Sequence, residues 1–119
     1  MKVLYLFIHL KHDNMFDYAE AERVIQMAKD KIDPMLMIVF GSVAKGTAGE
    51  DSDLDLILVK ESDEGGFIRS AKARAALRGS KIPIDITVYT PEEFKERLSD
   101  EYSLAYEAMV TGRVVYGSV

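Results

Sequence analysis

Cysteine is absent from this chain, histidine occurs twice, and basic residues are outnumbered by acidic ones. Without cysteine there is no disulfide framework and no thiolate metal site, which fits a reducing compartment, and the chain is expected in the cytoplasm. His9 and His12 stand three apart with no third ligand beside them, a poor metal site. With 15 Lys and Arg against 20 Asp and Glu, the formal charge is −5. That lacks the basic footprint of a sequence-independent nucleic-acid binder, so no direct nucleic-acid binding is expected, while a basic protein partner suits it. No apolar run approaches the roughly 20 residues that span a bilayer, and no membrane association is expected. The opening MKVLYLFIHL faintly suggests a secretory signal, but it is short, has no small-residue cleavage site and runs at once into charged residues. Repeats, linkers and low-complexity tracts are also missing.

What is present reads as one domain over residues 1–119, long enough to bury a core without staples. Val3 to Leu10 is apolar on both alternating faces, so residues 1–14 are expected to add an N-terminal strand. An exposed strand there invites pairing with another chain, in a homo- or hetero-oligomer. Asp17 with Glu20 reads as a capping box, Phe16 and Ala21 as its staple, and Ala21, Val24, Ala28 and Ile32 as one face of a helix over 17–32. Asp33-Pro34 ends it. Met35 to Phe40 and Leu54 to Val59 read as strands, and Ser42 to Thr47 as a short helical turn. A helix over 67–78 is expected to cap at Gly79, and Lys81 to Tyr89 alternates as a strand. Thr90-Pro91-Glu92-Glu93 starts a helix. A last helix over 100–110 carries Tyr102, Tyr106 and Met109 on a stripe expected to pack in the core, and a short strand at 114–116 follows. The order predicts an α+β (mixed α/β) fold, a small mixed sheet flanked by helices.

Chemistry concentrates between Met35 and Val59. Asp53 and Asp55 are two apart at a strand start, so both point to one face while Leu54, Leu56 and Leu58 point to the other. Paired carboxylates repel unless a cation neutralises them, and oxygen ligands favour Mg2+. Asp85 lies mid-strand on the polar side of an apolar run, costly unless solvated or ligated. If the two strands are neighbours, the three carboxylates converge as a ligand set for two metal ions. Gly41 permits close backbone approach to a phosphate, the N–H groups of the following turn make an anion cradle, and the Ser42 hydroxyl adds a donor.

Gly41-Ser42, ten residues, then Asp53-Leu54-Asp55 resembles the signature of the nucleotidyltransferase superfamily that includes DNA polymerase β, and the length resembles its minimal nucleotidyltransferases. The resemblance covers roughly residues 17–116, with Lys45-Gly46 where members often have Arg-Gly. It implies that Gly41, Ser42 and Lys45 hold the triphosphate of ATP or another NTP. Asp53, Asp55 and Asp85 would bind two Mg2+ ions, and Asp85 would serve as base for the incoming hydroxyl. Many stand-alone minimal members are antitoxins of a helical HEPN toxin, some transferring AMP to a toxin tyrosine. This implies an adenylylating antitoxin here. An inactive binding antitoxin, or nucleotidylation of a small molecule such as an aminoglycoside, stand as alternatives.

Two other motifs fail. Asp51, Asp53 and Asp55 alternate like a calcium loop, but Leu56 and Ser62 occupy the positions of its Gly and Glu. Gly41 to Thr47 has P-loop glycine spacing with Thr47 where Lys belongs. Arg69, Lys72, Arg74, Arg78 and Lys81 do not share a helical stripe and read as a solvated face rather than a phosphate or RNA site.

Overall fold

The computed structural model describes residues 16–118, so the expected strand over 3–10 and both histidines lie outside the described residues. The chain runs α1 (Tyr18–Ile32), β1 (Leu36–Phe40), α2 (Gly41–Lys45), β2 (Leu54–Val59), α3 (Gly66–Ala76), β3 (Ile84–Tyr89), α4 (Pro91–Leu98), α5 (Leu104–Thr111) and β4 (Arg113–Gly117). The sheet order is β3-β2-β1-β4. β1 is antiparallel to β2 and β4, and β2 is parallel to β3. This is the expected mixed α+β fold. Among the described residues no helix is long and apolar enough to cross a membrane.

Helices cover both faces of the sheet, which explains why its central strands read as unbroken apolar runs. Leu54, Leu56 and Leu58 join Met37, Val39, Ile86 and Val88 in a core under α1 and α3. On the opposite face, Ile57, Val59, Leu36, Ile38 and Phe40 meet Phe94 of α4 and Ala105 and Ala108 of α5.

Local signals place most helix ends. Asp17 accepts from Glu20 N at 2.9 Å, Asp33 closes α1 at φ 54°, and Thr90 and Glu93 complete a reciprocal capping box. Five expectations need correction. The box at Asp17 is only half made, because the Glu20 carboxylate turns instead to Arg23. α3 stops at Ala76 and caps at Leu77, whose side chain is drawn into the core; Gly79 serves the following turn. Arg69 is not on a solvated face: it is 7 % exposed, donating to Val88 O at 3.3 Å, Glu64 O at 2.6 Å and the Glu93 carboxylate. The last helix starts at Leu104, capped by Ser103, rather than at 100, and the Tyr102/Tyr106/Met109 stripe is not core, Tyr102 lying ahead of the helix at 90 % exposed. A Cβ at Gly112 would stand 2.7 Å from Val39 O, so α5 ends hard against β1 and its buried positions are the small Ala105 and Ala108.

Glu20 ties α1 to the approach to β3. At 6 % exposure it accepts from Arg23 at 2.7 and 2.8 Å and from Lys81 N at 2.7 Å, while Arg23 also donates to Gly79 O at 2.9 Å. The Arg23 guanidinium, aided by the Lys81 N–H, holds the Glu20 carboxyl down from 4.5 to about 2 against the effect of burial. A depressed carboxyl stabilises the fold above its unfolded value and loses that contribution as pH falls from 4.5 toward 2. We expect Glu20→Gln to cost ~1–3 kcal/mol at neutral pH by urea unfolding. The difference from wild type should shrink steadily below pH ~4.5; a constant difference would refute the charged clamp.

Candidate active site

β2 and β3 lie side by side in parallel, and their register sets Asp55 directly opposite Asp85. On its other side Asp55 is opposite Phe40, the last residue of β1. Asp53 precedes β2 by one residue and shares Asp55's face by strand alternation. Leu54, between them, donates its N–H to Pro83 O at 2.9 Å, tying the start of β2 to the segment leading into β3. Asp53 and Asp85 are exposed and Asp55 is half-buried.

Gly41 completes the niche. Its φ of +72° is one that residues with a Cβ rarely adopt, and a Cβ built there would stand 2.2 Å from Asp55 Oδ2. The strand-to-helix bend is thus pressed directly onto the carboxylate. Ser42 follows in the first turn of α2, half-buried, and Lys45 is exposed in its last. The bend is braced: Thr47 N donates to Ser42 O at 3.0 Å, and Arg113 Nε to Ala44 O at 2.8 Å. Gly41, Ser42 and Lys45 therefore lie on one short element at the end of β1, beside the strand that carries Asp55.

Burial pushes the Asp55 carboxyl up from 3.8 to about 6, reinforced by the negative charges of Asp85, Asp53 and Glu107. Glu107, on α5, escaped sequence reasoning because no spacing links it to residue 55; only the packing of α5 against β1 and α2 brings it near. Among the described residues, no group of three or more His, Cys, Asp or Glu side chains stands arranged to hold an ion. The chemistry of the donors nonetheless fits one. A carboxylate made reluctant to ionise by burial and like charges is relieved by a hard divalent cation, and oxygen-only donors suit Mg2+.

The nucleotidyltransferase domain model matches residues 21–117, and the chain belongs to that family. Two solved structures share its fold. One is a toxin–antitoxin with AMP-PNP, at 18% identity and a TM-score of 0.51, covering 83% of this chain and 73% of that one. The other is a mutant of the toxin–antitoxin MntA-HpeT, at 16% identity and a TM-score of 0.50, with the same coverage of 83% and 73%. A search of curated proteins returns no match.

Two outcomes are expected. Gly41→Ala should lose ~1–2 kcal/mol from its backbone angle alone. It should lose more where Asp55 is present than in an Asp55→Ala background, so thermal or urea unfolding of the four variants should show coupling of the two sites. Second, a folded-state carboxyl raised above its unfolded 3.8 weakens the fold as pH climbs from 3.8 through about 6. Asp55→Asn should therefore stabilise the metal-free protein at pH 7.5 and lose that advantage below pH 4.

Proposed function

We propose that this domain is a Mg2+-dependent nucleotidyltransferase that moves AMP from ATP onto a hydroxyl of a partner protein. The acceptor is a tyrosine of a HEPN-type toxin, so that the domain acts as a cytoplasmic antitoxin. The observation that carries the reading is the parallel register of Asp55 and Asp85 beside the Gly41 bend, in a chain of the nucleotidyltransferase family. AMP-PNP in one structural neighbour, and the toxin–antitoxin character of both, support the nucleotide and the partner. The mutant neighbour changes two aspartates two residues apart, each to glutamate. Asp53 and Asp55 stand at that same spacing here.

Gly41 and Ser42 grip the triphosphate through backbone N–H groups and the Ser42 hydroxyl, and Lys45 adds a positive charge from the same turn. Asp53, Asp55 and Asp85 would hold two Mg2+ ions, which supply neutralisation of the charge that develops on the phosphates. Asp85, exposed toward an incoming acceptor, takes the hydroxyl proton. The acceptor oxygen bonds to the α-phosphorus, the bond to the β-phosphate oxygen breaks, and pyrophosphate leaves. A binding antitoxin with an idle site is a second reading, favoured by the exposed apolar side chains of α5, which would serve docking without turnover.

Labelled ATP with Mg2+ and a co-expressed toxin partner should label the partner, and Asp53→Asn should reduce transfer by at least 100-fold, within the range typical of lost electrostatic stabilisation. Equal protection of cells by wild type and Asp53→Asn would favour the binding reading. MgATP at 100 times its dissociation constant should add ~2.7 kcal/mol to stability. No thermal shift at millimolar MgATP would refute the nucleotide site.

A further inference from the structure

α5 exposes the wrong residues for a helix that only closes a core. Ala105 and Ala108 are its buried positions, while Val110 is 65 % exposed and Leu104, Met109 and, on β4, Val114 are exposed too. Tyr102, just before the helix, stands almost fully in solvent. A groove of about 330 Å3 runs between α4 and α5, with Pro91, Phe94, Leu98 and Met109 as its apolar lining and Glu92 and Lys95 at its edge. An apolar groove of this kind on a globular domain marks a docking site.

The charges around it say what docks. Between Pro91 and Thr111 there are six acidic side chains against two basic ones, so this segment holds most of the net −5 of the chain. Glu93 is engaged by Arg69. Glu92, Glu96, Asp100, Glu101 and Glu107 are exposed around the apolar residues. A second copy of this chain would bring two such acidic rims together, which like charge disfavours. An apolar ridge flanked by Lys and Arg fits both the groove and its rim, and a groove between two helices admits a third helix.

We propose that the α4–α5 groove and the exposed face of α5 dock a basic amphipathic helix of a partner protein. This deepens the reading above, on which its functional meaning rests: α5 packs against β1 and against α2, the element that carries Gly41 and Ser42.

The test uses the full chain and two synthetic 18-residue amphipathic helices, one of leucine and lysine, the other of leucine and glutamate. Fluorescence anisotropy should show saturable binding of the lysine helix that weakens with salt, with amide shifts confined to α4, α5 and β4. The Met109→Ser/Val110→Ser double variant should bind it at least tenfold more weakly, with its MgATP-induced thermal shift unchanged. Equal binding of the glutamate helix, unaltered binding by the double variant, or shifts elsewhere would overturn the proposal. So would concentration-dependent dimerisation on sedimentation that the double variant abolishes, since that gives the face to a second copy. Stabilisation by MgATP without peptide binding sinks the docking surface alone. Peptide binding without stabilisation by MgATP sinks the nucleotide reading alone.

Discussion

Unmatched negative charge at the start of β2 is the constraint around which this molecule is arranged. Two carboxylates are drawn out of solvent, and they meet opposite fates. Glu20 is nearly fully buried yet faces the Arg23 guanidinium, and its carboxyl falls to about 2. Asp55 is less buried but faces Asp85, Asp53 and Glu107, and its carboxyl rises to about 6. Among the described residues, the ion pairs join Arg23 to Glu20, Lys29 to Asp30, Arg69 to Glu93 and Lys72 to Glu64, and none involves Asp53, Asp55 or Asp85. Charge left unmatched in this way costs stability in the free protein and becomes favourable only when a cation arrives.

The juxtaposition depends on the parallel pairing of β2 with β3, the one parallel link in the described sheet. Parallel neighbours require a crossover, here the segment that contains α3, and nothing within either strand fixes the register. The buried Arg69 does part of that work. From α3 it reaches the Val88 carbonyl on β3, the Glu64 carbonyl in the preceding turn and Glu93 in the first turn of α4. Glu20 and Arg23 hold the other end of β3 through Gly79 and Lys81. Clamps at both ends of the strand leave a one-residue slip, which would swing Asp85 to the opposite face, with no compensating partner.

The legible parts of this chain are those whose physics is local. Thr90-Pro91 with Glu93 and the turn at Asp33 each draw on neighbours within a few residues, and the structure keeps them. Alternation correctly sent Leu54, Leu56 and Leu58 to the core and left Asp55 on the opposite face. The misjudged residues answer to distant partners. A helical wheel shows Arg69 as one cation among several, because two of its three acceptors, Val88 and Glu93, come from elements brought in by tertiary packing. The stripe of Tyr102, Tyr106 and Met109 has core periodicity, but the close approach of α5 to β1 at Gly112 admits only alanine. Glu107 belongs beside Asp55 for that same reason, and no motif could have found it.

That close approach links the two outward-looking properties of the protein. Because α5 is seated on small residues, its bulky side chains are left in solvent and its acidic side chain is left beside Asp55. A helix packed through leucines would sit farther from β1, would bury its own apolar surface, and would carry residue 107 away from the carboxylates. Alanine at 105 and 108, with glycine at 112, thus sets the exposed surface and the charge of the niche together. Enlarging any of these three residues would be felt at both places.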